Sequence, residues 1–101
     1  MDVSYHWHNL ETSEALKDYA DKKLEKLTSH FNTLQTVTVR FRAEKINHFV
    51  EFAINGDGVQ FVGTENNPDL YAALDLLEKK MERQIRRHKE KNLGKTHRSN
   101  D

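Results

Sequence analysis

Cysteine is absent from the 101 residues, which removes disulfides, thiolate nucleophiles and cysteine-based zinc sites and fits a reducing cytosol. Proline occurs once, at Pro68, and glycine only four times. No Gly/Ser tract, low-complexity run or internal repeat interrupts the patterning, so a single domain with one modest core is expected. No apolar run approaches the ~18 residues of a membrane span. The start MDVSYHWH lacks the charged and apolar regions of a signal peptide, so a cytoplasmic protein without a membrane partner is expected. Net charge is absent too, with 16 Lys/Arg against 16 Asp/Glu.

That zero conceals two opposed blocks. Lys79 to Arg98 holds nine cations (Lys79, Lys80, Arg83, Arg86, Arg87, Lys89, Lys91, Lys95, Arg98) against Glu82 and Glu90. Ile46 to Glu78 holds no Lys or Arg and six acids: Glu51, Asp57, Glu65, Asp69, Asp75 and Glu78. The molecule is therefore dipolar, and a polyanion is drawn to one end of it.

Periodicity supplies the elements. Val3, Tyr5 and Trp7 alternate with Ser4, His6 and His8, as in a half-buried strand. From Thr12 the spacing changes: Leu16, Tyr19, Ala20, Leu24, Leu27 and Phe31 recur at helical steps, capped by Thr12 or Ser13, and the helix ends near His30. Val37, Val39, Phe41 and Ala43 then alternate with Thr36, Thr38, Arg40 and Arg42, giving one apolar and one cationic sheet face. After a turn at Lys45 to His48, Val50, Phe52 and Ile54 oppose Phe49, Glu51 and Ala53. Asn55-Gly56-Asp57-Gly58 is a hairpin turn, and Val59 to Thr64 is the last strand of a meander.

Asn67-Pro68-Asp69 reads as a helix start, with Asn67 the cap and Pro68 the first helical residue. Leu70, Leu74, Leu77, Met81, Ile85 and His88 keep one stripe, while Lys79, Lys80, Arg83, Arg86 and Arg87 gather on the other side. Residues 1–91 thus form the domain, and residues 92–101 are expected to be a disordered polar tail. The order β-α-β-β-β-α predicts an α+β two-layer sandwich, two helices on one face of a four-stranded antiparallel sheet.

Catalytic chemistry finds no support. Ser4, Ser13, Ser29 and Ser99 fall in a strand, a cap, a helix end and the tail, none beside an oriented base. Asn-Gly-Asp-Gly lacks the spacing and strand-to-helix context of a phosphate loop. His6 and His8 share one side of a strand, but a metal site needs a third ligand such as His48 brought in by tertiary structure; surface histidines are the simpler reading, and neither metal nor cofactor is expected. Trp7 is a candidate for base stacking, although a Trp in an alternating strand more often packs on the core.

The basic helix points to nucleic acid instead. Pairs such as Glu82 with Arg86 neutralise part of a solvated face, yet the eight residues after Glu82 contain four cations and one acid. Arg40, Arg42, Lys45, Lys22, Lys23 and Lys26 extend the basic surface beyond one helix.

Asp69-Leu70-Tyr71-Ala72-Ala73-Leu74-Asp75, then Leu77, Lys80, Met81, Arg83-Gln84-Ile85 and Arg87-His88-Lys89-Glu90-Lys91, resembles the second helix of the ribosome hibernation promoting factors, in the ribosome-associated inhibitor and sigma-54 modulation protein family. Residues 12 to 16, Lys23, Lys26-Leu27 and Phe31 are similar to its first helix, and Arg42-Ala43-Glu44-Lys45 with His48 is similar to its K-x-E-K-x-x-H segment. The likeness covers about residues 3 to 91. It implies a double-stranded RNA-binding-domain-like fold and a non-enzymatic factor that is monomeric when free. Such a factor binds small-subunit rRNA in the mRNA and tRNA channel, inhibits translation and promotes inactive ribosome dimers in stationary phase.

By motif position, Lys23, Lys26, Arg42, Lys45, Lys80, Arg83, Arg87, Lys89 and Lys91 are the implied rRNA contacts. Lys79 and Arg86 have no basic counterpart in the motif, and Trp7 stands where the family often has glycine. The ten residues after Lys91 resemble the short type, which works with a separate ribosome modulation factor. The alternatives are the related inhibitor that keeps ribosomes monomeric, or a general double-stranded RNA-binding module.

Overall fold

The computed structural model describes the backbone of residues 2–99 and the side chains of residues 2–91. Six elements follow one another: β1 (Val3–His8), α1 (Glu14–Thr28), β2 (Leu34–Glu44), β3 (Asn47–Gly56), β4 (Val59–Asn67) and α2 (Leu70–Ser99). The expected polar tail of residues 92–101 lies outside the residues whose side chains are described.

The sheet order is β1-β2-β3-β4. β2, β3 and β4 form the expected antiparallel meander, but β1 pairs with β2 in parallel, from Val3 opposite Val37 to His8 opposite Arg42. The sheet is therefore mixed, which corrects the all-antiparallel expectation. A helix joins these two strands, and a helical crossover returns the chain in the same direction, whereas a tight turn reverses it.

Local chemistry sets the boundaries. Ser13 caps α1 by accepting a hydrogen bond from the Leu16 amide at 3.2 Å. The α2 cap falls two residues later than Asn67: the Asp69 carboxylate accepts from the Tyr71 amide at 2.9 Å, and the Asn67 side chain accepts from the Asp69 amide at 2.9 Å. β4 extends to Asn67 because β3 offers it partners as far as His48. The β3–β4 turn places Asp57 and Gly58 at φ 52° and 77°, the left-handed pair that a two-residue hairpin requires. The Asp57 carboxylate accepts from the amides of Thr33 and Asn32, fastening this turn to the connection between α1 and β2; those hydrogen bonds hold its pKa below the ordinary value.

Both helices bury their stripes on one face of the sheet. Leu16, Ala20, Leu24 and Leu27 of α1 and Leu70, Leu74, Leu77, Met81 and Ile85 of α2 join Val37, Val39, Phe41, Val50, Phe52, Ile54 and Phe61 in one core. Each large side chain removed from water there contributes ~1.5–3 kcal/mol before entropy is counted. Trp7 belongs to this side, half-buried and stacked on Phe41 with centroids 4.5 Å apart. α2 reaches β4 closely because Gly63 has no side chain; a Cβ there would lie 2.5 Å from the Met81 sulfur.

Candidate nucleic-acid interface

Charge on α2 is sorted across the helix as well as along it. Lys80, Arg83 and Arg87 fall at three- and four-residue steps and share one flank, while Asp75 and Glu78 share the other. The basic flank runs beside the outer edge of β4. There Lys80 Nζ donates to the Thr64 carbonyl at 2.9 Å and lies 3.4 Å from Glu65, blunting the exposed strand edge. Val62, Lys80, Arg83, Gln84 and Arg87 line a shallow recess at this edge. Arg83 and Arg87 are exposed, and among the described residues no carboxylate lies within ion-pair distance of either. Both guanidinium groups are available to phosphate. Lys91, four residues beyond Arg87, continues the row and is exposed.

The acidic flank faces α1 and takes up Lys23. Its ammonium lies 3.0 Å from Asp75 and 3.3 Å from Glu78, 4.8 Å from the centre of the Tyr19 ring, with only 16% of the side chain exposed. Burial opposes its charge, but the hydrogen bonds to Asp75 and Glu78 outweigh it and hold the pKa above the ordinary lysine value. Tyr19 donates to Asp75 at 2.5 Å, and this bond, with help from Lys23, holds the Asp75 carboxyl below its usual range. Lys23 is thus an interhelix tie, set apart from the exposed cations with which its motif position groups it.

The remaining implied contacts are dispersed. Lys26 is exposed on α1. Lys89 is half-buried, and its charge acts on Asp57 in the β3–β4 turn. Lys45 stands at the β2–β3 hairpin tip, at φ 51°, beside Ile46, which is 78% exposed. Arg42 lies on the open sheet face, bound to Glu44 at 2.6 Å. The structure therefore joins Lys80, Arg83, Arg87 and Lys91 in one row, places Arg42 and Lys45 on the neighbouring sheet and hairpin, and leaves Lys23, Lys26 and Lys89 in the helical layer.

The register brings His6, Arg40, Glu51 and Thr64 into one row across the open face, and His8, Arg42, Phe49 and Asn66 into the next. Arg40 pairs with Glu51 at 3.7 Å. His48 occupies the opposite side of the sheet, with its Nδ1 2.8 Å from the Pro68 carbonyl oxygen. It cannot complete a metal site with His6 and His8. The sequence reading missed Val62 and Gln84 in the α2 recess and the role of Phe49 as the aromatic of the open face. The signal for Phe49 was present, since it alternates with the core residues Val50 and Phe52.

Comparison with known proteins gives the chain's family and fold. Residues 3–93 match the family described as Sigma 54 modulation protein / S30EA ribosomal protein. The ribosome hibernation promoting factor of Azotobacter vinelandii is 36% identical over 93 residues, spanning 92% of this chain and 87% of its own. Its namesake in Salmonella typhimurium is 33% identical, spanning 90% of this chain and 96% of its own. Among solved structures, the N-terminal domain of Thermus thermophilus Protein Y superposes with a TM-score of 0.77 at 27% identity, covering 87% of this chain and 99% of that domain. A ribosomal subunit interface protein from Coxiella burnetii shares the fold, with a TM-score of 0.77 at 22% identity over 88% of this chain and 98% of that one. In sequence over nearly its whole length, and in the order and packing of its six elements, the chain belongs to the Sigma 54 modulation protein / S30EA ribosomal protein family.

Proposed function

We propose that this protein is a cytoplasmic ribosome hibernation factor that binds the small ribosomal subunit in the channel used by mRNA and tRNA. It inhibits translation there by occupancy, with no substrate turned over. The observation that carries this reading is the row of exposed, unpaired guanidinium groups on α2, Arg83 and Arg87, continued by Lys80 and Lys91. A rigid helix that presents cations at one-turn intervals matches an RNA backbone better than a lone surface charge does. Lys45, at the neighbouring hairpin tip, extends the same contact, and Arg42 adds to RNA binding from the open sheet face. The curated relatives are named for ribosome hibernation, which supports the ribosome as the polyanion.

We further propose that the factor promotes inactive ribosome dimers in stationary phase, together with a separate ribosome modulation factor. Vacant ribosomes mixed with the protein alone then stay monomeric on a sucrose gradient, and dimers accumulate when the modulation factor is added. Dimers formed without it, or none formed with it, would count against this part of the reading.

The binding claim is tested with the double change Arg83→Glu and Arg87→Glu, assayed by pelleting with small subunits over a range of salt. Each lost phosphate contact lowers the log-log salt slope by about 0.7 to 0.9, so the double variant should lose about 1.5 units of slope. It should remain folded, because both residues lie away from the buried stripe. Preloading ribosomes with mRNA and initiator tRNA should also weaken binding. An unchanged slope, or equal affinity for empty and preloaded ribosomes, would refute the mechanism.

A further inference from the structure

The open sheet face carries a single aromatic platform. Phe49 is half-buried there, and the Arg42 guanidinium carbon lies 4.3 Å from its ring centroid. Glu44 holds Arg42 at 2.6 Å, which fixes the planar cation over the ring. His6 and His8 of β1 line the same cleft, as do Arg40 and Glu51. Trp7, the aromatic first considered for stacking, is engaged with Phe41 on the other side of the sheet.

Electrostatics shape what this face can take. Arg40 and Arg42 are balanced by Glu51 and Glu44, each within ion-pair distance, so the face has little field of its own for a polyanion. It offers stacking, because an aromatic ring and a guanidinium plane both accept the face of a nucleobase. Phosphate attraction comes from next door. Thr64 lines the cleft on one side and gives its carbonyl to Lys80 on the other, and its open-face neighbour Val62 floors the recess beside Arg83 and Arg87.

We infer that the Phe49–Arg42 platform stacks an unpaired base of a single-stranded RNA segment whose backbone is held by the cationic flank of α2. This rests on the ribosomal RNA-binding reading above and adds a second contact of different chemistry. Bases in a duplex are already stacked and present no free face, so the platform selects single-stranded RNA.

The test uses the full chain, a fluorescein-labelled octa-adenylate and a ten-base-pair RNA duplex, with binding followed by anisotropy over a range of salt. Phe49→Leu keeps apolar volume but removes the ring, and Arg42→Lys keeps charge but removes the plane. Each should weaken octa-adenylate binding about five- to tenfold, with an unchanged salt slope because neither change alters the charge, a much smaller effect on the duplex and a retained cooperative thermal transition. Arg83→Glu with Arg87→Glu should weaken both probes and flatten the slope. Octa-adenylate affinity unaltered by both single changes would overturn the inference, as would equal weakening of the duplex or no octa-adenylate binding by the unaltered chain at low salt. Loss of ribosome pelleting by Phe49→Leu with octa-adenylate binding intact would mean that the face docks a protein, and would overturn it too. Ribosome pelleting undisturbed by the α2 double change would instead overturn the underlying reading, so the two failures are separable.

Discussion

Replacing Lys23 by methionine separates structure from recognition. The change keeps most of the aliphatic stem under Tyr19 and removes the ammonium that sits between Asp75 and Glu78. Glu78 is the vulnerable partner: its side chain is 12% exposed, and its Oε2 has no hydrogen-bond partner among the described residues. Breaking a fully buried ion pair from one side costs about 3–5 kcal/mol, while an exposed pair is worth at most about 1 kcal/mol. Asp75 is 49% exposed, so water can rescue it, and the loss should lie between those limits, at about 1–3 kcal/mol. For a domain of this size that lowers Tm by about 5–20 °C.

The assay pairs thermal unfolding with small-subunit pelleting at a temperature where the variant remains folded. Affinity should change by less than about twofold, since the lysine faces α2 and its charge is already matched. Adding Glu78→Gln should recover part of the lost stability, because it removes the stranded charge and gives a positive coupling in the double-mutant cycle. A melting temperature within a degree of the parent, combined with a tenfold loss of ribosome affinity, would refute the interhelix tie and make Lys23 an RNA contact.

Two further outcomes are expected. Gly63→Ala should cost about 1–3 kcal/mol through overpacking, because its Cβ would meet the buried Met81 sulfur at 2.5 Å and a Leu77 methyl at 3.0 Å; Met81→Ala in the same chain should reduce that cost, and a neutral Gly63→Ala in urea titration would show that α2 is not seated this closely on β4. Asp57 has a carboxyl pKa lowered by the amides of Thr33 and Asn32, so its contribution is present above the unfolded value near 4 and is lost as pH falls through the folded one. Asp57→Asn, which tolerates the same positive φ, should therefore flatten the fall in the urea midpoint between about pH 5 and 2. Parallel curves for the two chains would contradict this.

The sequence alone determined the order and kind of the six elements, most of the core, and that cations gather on the second helix. Those properties follow from spacing: Leu74, Leu77, Met81 and Ile85 fall on one side of any helix they form, and Val37, Val39 and Phe41 on one side of any strand. Capping was legible to within two residues, since Asn67 and Asp69 both offer a suitable oxygen and only the pairing of β4 decides between them. What spacing cannot supply is the partner. β1 and β2 are parallel because of where α1 crosses, His48 lies away from His6 and His8 because the register sets it beside Ala43, and Lys23 is paired because Asp75 and Glu78, more than fifty positions along the chain, pack against it. The same holds for the candidate interface: helical phase puts Arg83 and Arg87 away from the core, but only the packing of α2 along the edge of β4 brings Lys80 to the Thr64 carbonyl, beside the cleft that holds Phe49 and Arg42.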